Sequence, residues 1–141
     1  MAHGTRFSDG SFPVFYSALE PETAAAEIKY RVPKIVGTPN RPRTVYYSRF
    51  SCDFDGSVKD LLSKHVDWHD LTHDSDYSFC NRLGAEAINT ELDGLVVPSA
   101  RRSGGVNLPV FKRRAISNPV IHAIVAVTFD PATRGVVLTE T

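Results

Sequence analysis

Short apolar runs separated by turn-forming residues constrain the fold of this chain more than any other feature of its sequence. Residues 44–52 alternate β-branched and aromatic side chains with polar ones, as a half-buried strand does. Similar runs elsewhere are bounded by Gly, Pro, Asn or Asp, which is typical of strands that end in turns. The predicted strands cover residues 13–18, 34–36, 44–52, 95–98, 108–111, 120–129 and 136–138.

Three helices are predicted between these strands. Pro21 suits a first helical position, and the alanine-rich run over residues 23–30 favours a helix. Cap-forming residues predict two more helices, over residues 57–64 and 76–92. The proline-rich stretch 32–43 is predicted to be a connecting loop. Short strands with helices clustered between them favour an α+β domain over a wound βαβ sheet.

Length, charge and cysteine content limit the class of protein. The 141 residues fit one domain, 1–141, large enough to hold a pocket without disulfides or a structural metal. With 16 basic and 16 acidic residues, the chain lacks the positive field that drives non-specific binding to nucleic acid or membranes. Cys52 and Cys80 match no zinc or disulfide spacing, and no apolar stretch is long enough to span a bilayer. The sequence predicts a soluble, cytoplasmic protein that binds neither nucleic acid nor membranes.

Residues 96–108, VVPSARRSGGVNL, are the segment richest in ligand-binding groups. The segment places an apolar strand beside the Ser99 hydroxyl, two arginines that include Arg101, a glycine pair and the Asn107 amide. Guanidinium groups bind phosphate bidentately, and consecutive glycines let backbone N–H groups face an anion. The segment predicts a nucleotide site; the alternative is a basic surface turn after a buried strand.

Two other chemistries are disfavoured. His65, His69 and His73 would share one face of a continuous helix and could suggest zinc. The segment is turn-like and Asp-rich, and it contains no H-E-x-x-H motif, so a partly exposed polar loop and no metal site are predicted. Ser99 is not flanked by G-x-S-x-G, which disfavours a hydrolase triad. Considered alone, Glu27 is typical of a solvated helix face and Tyr16 of a core aromatic.

Taken in order along the chain, these residues resemble the RES domain family. That family takes its name from an arginine, a glutamate and a serine, which here fall on Arg6, Glu27 and Ser99. The segments that carry the resemblance are Thr5-Arg6-Phe7 with Gly10, Pro13–Ala18 (PVFYSA), Glu22–Ile28 (ETAAAEI) and Gly94–Phe111.

The resemblance implies a fold, an activity and a partner. The fold would be a single α+β domain similar to ADP-ribosyltransferases, with mixed or antiparallel short strands and a few helices. The protein would be the toxin of a bacterial type II toxin–antitoxin system that consumes NAD+ as its substrate. ADP-ribose would pass to water, to phosphate or to a protein target. A small Xre-like antitoxin would cover the active site.

The chemistry of that reaction gives the predicted residues their roles. Cleaving the nicotinamide–ribose bond builds positive charge on the sugar, so a carboxylate beside the ribose, Glu27, would stabilise the cation. Arg6 would hold a phosphate and Ser99 would bond the ribose or nicotinamide end. Tyr16 would stack on the cationic pyridinium ring.

Arg101 and Asn107, with Gly104 and Gly105, would bind the remaining phosphate or the amide. Family members usually carry a further N-terminal segment with an arginine and an aromatic residue ahead of the position matched by Arg6. This sequence starts only a few residues before Arg6, so it is either a shortened form or a minimal member, for which we expect looser NAD+ binding and slow turnover or transfer to a protein. Two alternatives to a toxin enzyme are a catalytically silent nucleotide-binding module and a protein-interaction domain.

Overall fold

A computed structural model describes residues 5–62, 68–73 and 75–141 of the chain. The chain divides into two compact units, the first formed by residues 1–23 and 54–116 and the second by residues 24–53 and 117–141. Besides a 3₁₀ turn at Arg113–Ala115, the elements are β1 (Phe15–Ala18), α1 (Pro21–Val36), β2 (Arg43–Phe54), β3 (Val58–Asp60), α2 (Trp68–Leu71), α3 (Ser78–Asn89), β4 (Gly94–Pro98), β5 (Val106–Val110), β6 (Ile116–Asp130) and β7 (Gly135–Glu140).

The first unit is built on a four-stranded mixed sheet with the order β1-β5-β4-β3. β5 pairs antiparallel with both β1 and β4, whereas β3 pairs parallel with β4. The two central strands are almost fully buried, as their apolar sequences require. The core cluster of this unit contains Phe7, Leu61, Leu71, Cys80, Ala87, Leu95, Val97 and Phe111.

Helix α3 packs tightly on the N-terminal segment. Gly84 is buried in α3, and a Cβ atom built on it would lie 1.8 Å from the carbonyl oxygen of Phe7. The Asn81 amide, one turn earlier, donates hydrogen bonds to the carbonyls of Thr5 and Arg6 at 2.8 and 2.7 Å. The helix therefore fixes the backbone that carries Arg6.

The second unit contains a three-stranded sheet with the order β2-β6-β7. β7 pairs antiparallel with residues 125–130 of β6. The part of α1 that belongs to this unit contributes Val32 to a core with Val125, Val127 and Phe129. Ile28 and Val36 flank Val32 at four-residue spacing, so one face of the helix supplies all three apolar side chains.

Most predicted elements are present, and two predictions were wrong. Residues 34–36 are helical, not a strand, because α1 continues through Pro33 while Val32 and Val36 pack in the core. The helix ends at Val36, and the next residue, Gly37, has a φ of 73°, which suits a C-terminal cap. Residues 58–60, predicted to be helical, form β3 because they pair with β4. The end of that predicted helix, residues 63 and 64, lies outside the described residues.

Neither a membrane span nor a metal cluster occurs in the described part of the chain. No helix there is both long and apolar enough to cross a bilayer. No group of three or more His, Cys, Asp or Glu residues is placed there to hold a metal ion. His69 and His73 contact each other edge to face with ring centroids 5.7 Å apart, and His65 lies outside the described residues.

Candidate functional site

Ser99 closes a tight loop at the end of β4. Its Oγ accepts hydrogen bonds from the backbone N–H groups of Arg101 and Arg102, both at 3.1 Å. Its own N–H donates to the carbonyl of Gly105 at 2.9 Å. Residues 99–105, hereafter the Ser99 loop, are thus held by the side chain and backbone of one buried serine.

The Ser99 loop forms one wall of a cavity of about 330 Å³ in the first unit. This volume lies near the lower end of the range for small-molecule sites. Gly104 has a φ of 78°, a conformation that side chains other than glycine's rarely adopt. The cavity offers hydroxyl and backbone groups to a ligand, and its lining residues are Leu62, Thr72, Pro98, Ser99, Ser103, Gly104, Gly105 and Val106.

The first turn of α1 packs against the Ser99 loop. Thr23 is fully buried, and a Cβ atom on Gly105 would lie 2.5 Å from its Oγ1. Glu20 precedes the helix, and one of its carboxylate oxygens accepts a hydrogen bond from the Thr23 hydroxyl at 2.5 Å. That bond, followed by one from the Val106 N–H, lowers the pKa of Glu20 below its ordinary value of 4.5. The carboxylate is therefore ionised at neutral pH.

Arg6 is held by backbone carbonyls. Its Nη1 donates to the carbonyls of Leu71 and His73 at 3.1 and 2.8 Å. Its guanidinium also lies 4.5 Å from the ring centroid of Tyr77, a cation–π contact. The arginine therefore joins the N-terminal segment to α2 and to the segment before α3. Burial raises the pKa of the nearby Cys80 thiol above its ordinary value, which favours the thiol over the thiolate at neutral pH.

Tyr16 supports the same N-terminal segment. Its hydroxyl accepts a hydrogen bond from the Phe7 N–H at 3.0 Å and bonds the Thr5 hydroxyl at 2.5 Å. Its ring packs against the core of the first unit. The hydroxyl thus has a positioning role, whereas stacking of the ring on a ligand stays a prediction.

The other predicted site residues fall at different places. Asn107 lies on the central strand β5, opposite Ala18 and Val97 in the register, with its side-chain oxygen buried. Arg101 is half-buried in the Ser99 loop. Glu27 is half-buried on α1, in the part of the helix that belongs to the second unit.

The first unit thus contains Arg6, Tyr16, Ser99, Arg101 and Asn107, of which Ser99 lines the cavity. Sequence reasoning missed the support that Glu20, Thr23 and Arg102 give to the Ser99 loop, and missed Thr72 and Ser103 on the cavity wall. Pro21 at the first helical position indicates a helix start beside Glu20 and Thr23, but no sequence pattern indicates that these two residues contact the Ser99 loop.

The chain has an α+β fold, and the cavity at the Ser99 loop is its candidate ligand site. The model of one family, the RES domain, matches residues 1–130. The chain therefore belongs to the RES domain family, as its motifs predict.

The structure is similar to the crystal structure of the M. tuberculosis MbcT–MbcA toxin–antitoxin complex. The TM-score is 0.62 at 19% sequence identity, over 94% of this chain and 75% of that chain. The likeness confirms the predicted α+β fold of short strands and a few helices. A search of curated proteins finds no match to this sequence.

Proposed function

We propose that this chain is the toxin of a bacterial toxin–antitoxin pair and that it cleaves the nicotinamide–ribose bond of NAD+. Membership of the RES domain family carries the proposal. The structural likeness to a toxin–antitoxin complex and the hydroxyl-lined cavity at the Ser99 loop support it. A small Xre-like antitoxin is the partner we expect, in the cytoplasm.

The proposed reaction needs few groups. The bond between ribose C1′ and the nicotinamide nitrogen breaks, and its electron pair leaves with neutral nicotinamide. Glu27 stabilises the positive charge that develops on the ribose. Water, phosphate or a protein nucleophile then bonds to C1′ and releases a proton. Ser99 orients the ribose or the nicotinamide, and positioning with exclusion of water supplies most of the rate.

Binding of NAD+ is proposed to involve Arg6, Tyr16, Ser99, Arg101 and Asn107. Arg6 would contact a phosphate with donors other than those that it gives to Leu71 and His73. The engagement of Arg6 by those two carbonyls favours a second candidate function, in which Arg6 is structural and the domain binds a nucleotide without cleaving it.

The first test is release of nicotinamide from NAD+ by the purified chain, with and without phosphate. We expect release by the wild type and loss of at least about 100-fold in Glu27→Gln, because the amide cannot stabilise the ribosyl cation. Glu22→Gln is the matched control, since Glu22 is an exposed glutamate in the first turn of the same helix.

Each outcome separates the hypotheses. Faster release with phosphate identifies phosphate as the acceptor, and labelled NAD+ incubated with cell lysate marks a protein target. Nucleotide binding without nicotinamide release would support the silent module instead. Equal activity in Glu27→Gln and Glu22→Gln would remove Glu27 from the mechanism.

A further inference from the structure

We propose that Glu20, Thr23 and Arg102 are positioning residues for this reaction, because they clamp the first turn of α1 to the Ser99 loop. The inference rests on the proposed function. It assigns to these three side chains, hereafter the clamp, the task of fixing the loop that presents Ser99.

Thr23 is the centre of the clamp. Its hydroxyl donates to a Glu20 carboxylate oxygen at 2.5 Å and accepts from Arg102 Nη1 at 3.2 Å. The side chain is fully buried, so water cannot replace either bond. Both the donor and the acceptor capacity of the hydroxyl are used inside the protein.

Glu20 extends the clamp to the strand that follows the loop. The carboxylate oxygen that accepts from Thr23 also accepts the Val106 N–H at 3.0 Å and lies 3.8 Å from Arg102 Nη1. Val106 is the first residue of β5. One carboxylate thus joins the start of α1 to the point where the loop becomes a strand.

Arg102 links the clamp directly to Ser99. Its side chain bonds Thr23, and its backbone N–H bonds the Ser99 Oγ at 3.1 Å. Gly105 approaches Thr23 so closely that even a Cβ atom would collide with it. A shift of the first turn of α1 is therefore transmitted to the loop.

The clamp matters more for geometry than for stability. The side chains of Arg102 and Glu20 are 38% and 32% exposed, and ion pairs that exposed contribute little to stability. Small displacements of a reacting group, in contrast, cost large factors in rate. The clamp therefore fixes the loop that presents the proposed hydroxyl of Ser99.

The test compares steady-state NAD+ cleavage by Thr23→Val, Thr23→Ser and wild type. Valine keeps the shape of threonine without its hydroxyl, whereas serine keeps the hydroxyl. We expect kcat of Thr23→Val to fall about 10-fold or more with KM changed less than about 3-fold, and Thr23→Ser to retain kcat within about 3-fold. Thr128→Val is the matched control, because it removes a hydroxyl bonded to Thr44 in the second unit.

A second variant, Arg102→Met, tests the clamp if Thr23→Val fails to fold. Arg102→Met keeps the aliphatic stem at a partly exposed position and removes the guanidinium, and we expect the same fall in kcat. If the wild type cleaves NAD+ and the folded variants do so with unchanged kcat, the clamp is refuted while the proposed function stands. Equal losses of kcat in Thr23→Ser, Thr23→Val and Thr128→Val would indicate a stability effect and would also refute it. A wild type that leaves NAD+ intact overturns the proposed function, and the positioning role with it.

Discussion

The two units hold their segments together by different kinds of contact. In the first, side chains bond backbone groups far away in the sequence: Arg6 bonds the carbonyl of Leu71, Asn81 that of Thr5, and Ser17 that of Leu108. The first two of these bonds hold the irregular segment that carries Arg6, and the third joins β1 to β5. The Ser99 loop and the segment before β1 are shaped in this way.

The second unit relies on pairing between long strands. Its side-chain bonds join exposed positions on different strands, such as Thr44 on β2 with Thr128 on β6 and Arg49 on β2 with Glu140 on β7. The sheet also leaves large apolar side chains exposed, among them Tyr46 and Ile121.

The difference predicts different sensitivity to substitution. In the first unit the irregular segments, such as the one before β1, have no ladder of hydrogen bonds to hold them when a side-chain contact is lost. In the second unit the strand ladder persists when one exposed pair is removed. Paired substitutions, one in each unit, test this comparison.

Glycine substitutions should show the largest contrast. Gly84→Ala places a Cβ atom on the backbone of Phe7, which cannot yield as a flexible side chain can, so we expect a loss of about 3 kcal/mol or failure to fold. Gly135→Ala at the start of β7 approaches only the Thr133 side chain, at 3.1 Å, and should cost less than about 1 kcal/mol. Urea denaturation measures both, and similar losses would contradict the comparison.

Arginine substitutions should differ in stability and in ligand binding. Arg6→Ala removes charge-assisted bonds to two carbonyls and the contact with Tyr77, so we expect a loss of about 2 kcal/mol and weaker NAD+ binding. Arg49→Ala removes an exposed ion pair with Glu140 and should cost less than about 1 kcal/mol with no change in affinity. Calorimetric titration with NAD+ provides the affinities. Unaltered affinity in Arg6→Ala would remove its proposed phosphate contact.

Acid titration should show the smallest effect. The Ser57 N–H, with smaller contributions from the Ser57 hydroxyl and Arg114, lowers the pKa of Asp93 below its ordinary value of 3.8. A carboxylate with a lowered folded-state pKa stabilises the fold above its ordinary pKa, and the contribution disappears as pH falls through the folded-state value.

Asp93→Asn should therefore lower the melting temperature at pH 7, and the gap to the wild type should narrow below pH 3.8. Glu140→Gln, which affects an exposed ion pair in the second unit, is the control. A gap that is equally wide at pH 7 and pH 2.5 would exclude this linkage for Asp93.

The sequence analysis predicts elements with a local pattern better than elements that depend on tertiary contacts. Strands with clear alternation, such as β2 and most of β6, are predicted well because their pattern is local. β3 was missed because three residues form a strand only through pairing with β4. The end of α1 was misjudged at Pro33, where core packing of Val32 outweighs the local preference of proline.

The site shows a similar limit. The sequence predicts Ser99 as a site residue because its hydroxyl stands beside arginines and glycines in one short segment, and Ser99 lines the cavity. The sequence cannot show that Arg6 bonds the carbonyls of residues 65 and 67 positions later. Nor can it show that Thr23 touches Gly105, because that proximity depends on the folded backbone.

Because β1 pairs with β5, the sheet of the first unit forms only after β5 has been synthesised. Ser17 lies opposite Leu108, and Leu19 bonds the carbonyl of Val106. β1, which follows the segment that carries Arg6, is synthesised before its partner β5. Of the four strands of that sheet, β5 is the last to leave the ribosome. A nascent chain shorter than about 110 residues therefore lacks the sheet that holds the site. Under the proposed function, the translating cell meets the activity only after β5 has been synthesised.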